Sequence, residues 1–400
     1  MSWVIGNPYP LKRNAGKSFI GSYVLGMGFV LKDEEAESII AKDARNRQVL
    51  FPYLNGEDLN NDPEQKPSRW VINFFDWPEE KARTYPDCYS IIEKMVKPER
   101  QRWKLDENGR EIIGTFALRK PLPQKWWIYG EKRPALYETI SQLDQVMVLT
   151  RVSKYVVVEM VNSKQVFTEK IVVKTFQDPF YFCILQSTIY NEWAWKYSST
   201  LRGGTINYSP SVCFDTFPFP EIKTENNLNE AGISFYTQRQ KIMKNARLGL
   251  TRLYNQVHNS SLSLVDDPSN LNPAVFLKKY GKDSLSLRTH LESFTAISYN
   301  DVVTEIKELR KRQIQMDMAV MEAYGWTDIS LKHNFYAMDY LPEGDRLRFS
   351  IDPIASREIL KRLLKLNEQI HLIEPTDKKK ILETDSDEIE GKINNTLTLF

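Results

Sequence analysis

Near residue 222 the chain changes its period, and that change limits the folds open to it. Before it, short β-type runs alternate with turn residues: SYVLGMGFVL (22–31), RWVINFFDW (69–77), VMVLTRV (146–152), YVVVEMV (155–161) and EKIVVKTF (169–176). Short helical stretches lie between them. DEEAESIIAKD (33–43) is acidic in its first turn, EEKARTYPDCYSIIEKMVK (79–97) is interrupted by Pro86, and PALYETISQL (134–143) opens on Pro134. After it, apolar residues recur every three or four positions. Phe235, Ile242, Met243, Ala246, Leu250, Leu253, Tyr254 and Val257 predict a helix over 234–258. Similar spacing predicts a helix over 301–326 that stops at Gly325, and another over 353–373 opened by Asp352-Pro353. The expected fold is therefore α+β. A mixed α/β domain of short strands and helices covers 1–222, a polar linker 223–232, a mostly helical domain 233–373 and a charged flexible tail 374–400.

With 400 residues, 42% of them hydrophobic, the chain has room for two or three cored domains. Cys88, Cys183 and Cys213 stand far apart with no CxxC pair, and no histidine sits in an HExxH setting. Neither a disulfide framework nor a metal site is expected. No basic stretch with a following apolar run opens the sequence and no apolar segment reaches membrane-spanning length, so a soluble cytoplasmic protein is expected. Charge is unevenly placed: residues 94–174 carry 16 Lys/Arg against 9 Asp/Glu, whereas 1–93 carry 11 against 14. A basic belt in a nearly neutral chain suits a phosphate-contacting surface, and a solvated lysine-rich face is the competing reading.

Four short motifs imitate catalytic loops. Asn7-Pro8-Tyr9 comes within one proline of the loop that holds a flipped base in amino-methyltransferases, but Tyr9 stands at the second proline. Gly26-Met27-Gly28 offers a GxG without the acidic residue a cofactor ribose needs. Gly16-Lys17-Ser18 lacks the glycine five positions earlier that a phosphate loop requires, since position 11 is Leu. Asp58 with Glu64-Gln65-Lys66 copies a nuclease pattern, but in an Asn/Pro-rich loop. No catalytic residue and no metal ligand is assigned.

Longer segments carry a resemblance. These are NAGKSFIGSYVLGMGFVL (14–31), NRQVLFPYLNGEDLNNDPEQKPSRWVINFFDWPEEKARTYPDCY (46–89), VKPER (96–100), WWIYGEKRPALY (126–137), LTRVSKY (149–155), LQSTIYNEWAWKYSSTL (185–201) and CFDTFPFPE (213–221). Together they resemble the target-recognition region of MmeI-like Type IIL and Type IIG restriction–modification methyltransferases. RQKIMKNARLGLTRLYNQVH (239–258), MDMAVMEAYGWTDI (316–329) and REILKRLLKLNEQ (357–369) are similar to the helical segment that follows it in that family. The resemblance implies a DNA specificity part, working with an adenine-N6 methyltransferase domain or subunit that binds S-adenosylmethionine. It implies a separate subunit or a piece of a split gene, double-stranded DNA as partner, no membrane, and a nucleoid-associated place in a bacterial cytoplasm. An autonomous methyltransferase or nuclease with an unrecognised active site is the alternative.

For such a role phosphate and base contacts fall to different side chains. Lys97, Arg100, Arg102 and Lys104, then Arg119, Lys120, Lys132 and Arg133, are the expected phosphate contacts. Pro98 is expected to turn the first of these outward from a bend. Arg151, Ser153 and Lys154, following an apolar strand, are the expected base readers. Arg239, Lys244, Arg247 and Arg252 on the first long helix add possible phosphate contacts. Trp126, Trp127 and Tyr129 read as core, and Asp58 as a cap.

Overall fold

The computed structural model describes residues 6–201, 204–221 and 225–375. Two four-stranded sheets organise the first half. In the first, Ser18–Ile20, Ile171–Lys174, Gln145–Thr150 and Glu159–Asn162 lie side by side, all antiparallel. Val146 to Leu149 and Ile171 to Val173 are buried in unbroken runs, as strands covered on both faces require. In the second, Val166–Phe167 runs parallel to Leu50–Leu54, Leu50–Leu54 pairs antiparallel with Arg69–Ile72, and Arg69–Ile72 pairs antiparallel with Val30–Lys32 at the edge.

Each sheet has its own apolar core. Phe29, Val71, Phe74, Ile92, Trp126 and Tyr129 fill the smaller one behind the second sheet. The larger runs from Val148 and Val172 through Phe182, Trp193 and Phe217 into Phe235, Ile306, Val320 and Leu363. It therefore passes through residue 222 without a break, and apolar packing divides the chain between the two sheets. The helix Pro179–Gln186 explains this. Its sequence PFYFCILQ is apolar on nearly every side, because it packs against the long helix Asn226–Ala246 and the helices Thr188–Tyr197 and Tyr299–Ala323.

The α+β class holds, with local corrections. The stretch 79–97 is interrupted as expected, Glu79–Ala82 ending before Pro86 opens the separate helix Pro86–Met95, its ring fitting a first turn where no N–H is needed. Pro98 likewise lies in the first turn of the short helix Lys97–Arg100, so the expected bend is absent. The expected linker is helical from Asn226, because Leu228, Ala231 and Phe235 extend the apolar stripe upstream under a polar composition. Gly232 is needed there: a Cβ would stand 2.6 Å from the Pro179 carbonyl oxygen. Lys223 and Thr224, and the expected tail from residue 376, lie outside the described residues. The helix expected over 234–258 breaks at Arg247, which takes left-handed angles (φ 49°), and resumes as Leu250–Val257. Tyr299–Ala323 and Pro353–Ile373 stand where expected, capped by the side chains of Ser298 and Asp352. The helix Pro273–Phe294, broken at Gly281 (φ 82°), and the hairpin Asn334–Ala337/Leu347–Ser350 were not anticipated.

Lys174 ends its strand wholly inside the larger core. Its Nζ donates to the hydroxyls of Tyr208 (2.6 Å) and Tyr190 (3.3 Å), with Cys213 and Asp215 nearby. Burial pushes its pKa down to about 7, the thiol and carboxylate opposing only in part. An unfolded lysine keeps its proton to about pH 10.4. From pH 7 upward the unfolded chain therefore binds more protons, and stability rises with pH. Urea unfolding should show stability rising between pH 7 and 8.5 from this group, by on the order of 1–2 kcal/mol. Lys174→Met should remove that rise, and an unchanged rise would show that the ammonium is not the source.

Candidate nucleic-acid interface

A cleft of about 610 Å³ is bordered by Tyr23, Leu25, Asn55, Arg69, Glu169 and Lys170. Tyr23 takes part in holding two arginines. The Arg133 guanidinium lies 5.6 Å from its ring, and Arg151 Nη1 donates to its hydroxyl at 3.1 Å. Arg151 follows directly on the strand Gln145–Thr150, and its backbone is fixed from two sides. Its N–H donates to the Lys170 carbonyl, and its own carbonyl accepts from Tyr208, each at 2.7 Å. Among the described residues its guanidinium has no carboxylate partner, and its Nε is buried without a hydrogen bond. An arginine held by its backbone with donors left over is suited to a planar two-acceptor target.

The three residues expected to act together diverge. Ser153 lies on the two-residue strand Val152–Ser153, paired with Thr205–Asn207, and its Oγ accepts from Tyr155 N–H. Lys154 turns the other way, its Nζ 3.0 Å from Asp345 and over the Tyr155 ring. It ties the first half of the chain to the loop of the late hairpin.

The phosphate set divides too. Arg100 is the clearest correction: it is 1% exposed and donates to the carbonyls of Val24, Leu25, Trp126 and Ile128. Burial pushes its pKa down to about 10, and the carbonyl dipoles stand in for a counter-ion. It braces the smaller core and has no surface for a phosphate. Lys97 pairs with Glu93 at 3.1 Å, Lys132 with Asp76 at 2.6 Å, and Arg133 with Glu131. Arg102, Lys104, Arg119 and Lys120 are exposed and carry no ion pair among the described residues. They sit on and beside an antiparallel hairpin, Trp103–Leu105 with Glu111–Phe116. The turn DENGR (106–110) was its signal, and Arg110, on that turn, was overlooked.

Of the helical cations, Arg239 is fully buried against Glu159. Arg252 contacts the His290 ring, and Lys244 and Arg247 are exposed. Trp126, Trp127 and Tyr129 are core, as read. The cap before Gly56–Asn61 is Asn55 rather than Asp58. Asp58 instead accepts from Asn55 Nδ2 and from Ser68 N–H.

The imitations of catalytic loops have structural uses. Tyr9 exchanges two 2.8 Å hydrogen bonds with the Asn367 side chain and stacks on His371 at 4.3 Å, so its ring is committed to the last helix. Gly28 lets the chain pass Met95, where a Cβ would come within 2.4 Å of that side chain. Ser18 starts a strand, whereas a phosphate loop needs a helix there. Among the described residues no group of three or more His, Cys, Asp or Glu could hold a metal, and no helix is long and apolar enough to cross a membrane.

No match was found among curated proteins. Among solved structures, the chain is similar to the Type IIL restriction-modification enzyme MmeI in complex with DNA, with a TM-score of 0.55 and 14% identity. The alignment covers 89% of this chain and 36% of that one, so this chain spans about a third of the length of MmeI. At that identity the likeness is one of fold. The family model for the MmeI target recognition domain matches residues 12–221, more than half of the sequence, and takes in both sheets, the cleft and the hairpin. The chain belongs to the MmeI target recognition domain family.

Proposed function

We propose that this chain is the DNA-specificity part of a restriction–modification system. It binds a duplex and directs adenine-N6 methylation by a catalytic domain or subunit elsewhere, which binds S-adenosylmethionine. The family match over residues 12–221 carries the reading. Arg151 supports it, because its guanidinium is held on Tyr23, a residue of the cleft border, and meets no carboxylate among the described residues. An arginine so held can donate twice to one guanine edge.

Selection of binders from a randomised duplex pool is the test, and it should return one enriched sequence. Arg151→Ala should relax that sequence at a single base pair, at a cost of about 1–3 kcal/mol there. Lys104→Ala should weaken all duplexes alike. No enrichment, or identical behaviour of the two variants, would sink the division of roles. Capture of labelled S-adenosylmethionine by the chain alone, without duplex binding, would replace it with the enzyme reading.

A further inference from the structure

The hairpin Trp103–Phe116 finds no cover in the fold. Both strands are exposed on both faces, and only Trp103 and Phe116 at the root are half-buried, stacked at 4.8 Å. A Cβ added at Gly109 or Gly114 would meet nothing within 4 Å. Leu105, Ile112 and Ile113 are 56%, 39% and 72% exposed. A lone two-stranded ribbon is marginal in water, and exposed apolar residues on it ask for a partner.

Resting on the proposed function, the geometry points to a DNA arm: a ribbon that lies in the major groove beside the cleft and lengthens the footprint past the bases Arg151 faces. Three observations select duplex DNA over a protein surface. Arg102, Lys104, Arg110, Arg119 and Lys120 flank or belong to the ribbon, and none has an ion-pair partner among the described residues. Of the three acids among them, Asp106 is spent inside the turn, its Oδ1 accepting from the N–H groups of Asn108 and Arg110. Leu118 and Leu122, just past the root, border the same cleft as Tyr23 and Lys170, so the arm continues that surface. A two-stranded ribbon fits the roughly 12 Å width of a major groove, where Ile112 and Ile113 could meet thymine methyls.

The root makes a clean test possible. Ala117 N–H donates to the Arg102 carbonyl at 3.0 Å, so a short Gly-Ser turn can replace residues 103–116 without parting the flanking chain. On the enriched duplex, this deletion should cut affinity at least roughly tenfold at 100 mM salt. It should shorten the hydroxyl-radical footprint by several base pairs on one side and leave the preference at the base pair that Arg151 reads unchanged. Lys104→Glu combined with Arg110→Glu, which keeps the ribbon, should weaken binding in the same direction. Unchanged affinity and footprint in a deletion that melts like the parent overturn the arm alone. Loss of methyltransferase capture with duplex binding intact overturns it too, in favour of a protein contact. If the intact chain binds no duplex, the specificity reading falls and the arm with it.

Discussion

Replacing Arg239 by alanine is expected to lower stability by about 3–5 kcal/mol, because it strands a buried carboxylate. Arg239 and Glu159 are both fully buried and 3.0 Å apart. Arg239 Nη2 also donates to the Val158 carbonyl at 2.7 Å, and Nη1 to Gln186 at 3.2 Å. Glu159 accepts besides from Gln240 at 3.0 Å and from Met160 N–H. The pair joins the edge strand of the first sheet to the long helix Asn226–Ala246, so losing it loosens the seam between the sheet and the C-terminal helices. Urea unfolding of Arg239→Ala measures the cost. Arg239→Met combined with Glu159→Leu should recover most of it, since removing both charges leaves neither one unpaired. A single variant within 1 kcal/mol of the parent would show that the carboxylate finds other partners.

The same arginine shows where reading the sequence stopped. On its helix Arg239 stands four residues after Phe235 and three before Ile242, on the apolar stripe itself, but nothing nearby in sequence says that Glu159 waits 80 residues upstream. Arg100 is the parallel case: VKPER looks like a basic patch, and only tertiary packing brings four carbonyls around it. What was legible was local. The helix Pro353–Ile373 announced itself by Asp352-Pro353 and its apolar spacing, and the central strands by their unbroken β-branched runs. The helix from Asn226 was hidden because its first turns are polar where they face solvent. The family was legible from long segments, whereas side-chain direction was not. Arg151 and Lys154 stand three residues apart and point to different halves of the chain.

Duplex binding should fall steeply with salt, and the structure sets how steeply. Each phosphate neutralised by a free cation adds about −0.9 to the slope of log affinity against log salt. Among the described residues of the basic belt, Lys97, Lys132, Arg133 and Lys154 already have carboxylate partners. A contact made by one of these exchanges one ion pair for another and adds little. Arg102, Lys104, Arg110, Arg119 and Lys120 carry no such partner. Five contacts give a slope of about −4.5, hence a loss of roughly 500-fold in affinity between 50 and 200 mM salt. Removing any one of the five should make the slope shallower by about one unit, while Lys132→Ala should leave it nearly where it was. A measured slope shallower than about −2 would mean that the loose cations face away from the phosphates. The paired ones, or other residues, would then have to hold the helix.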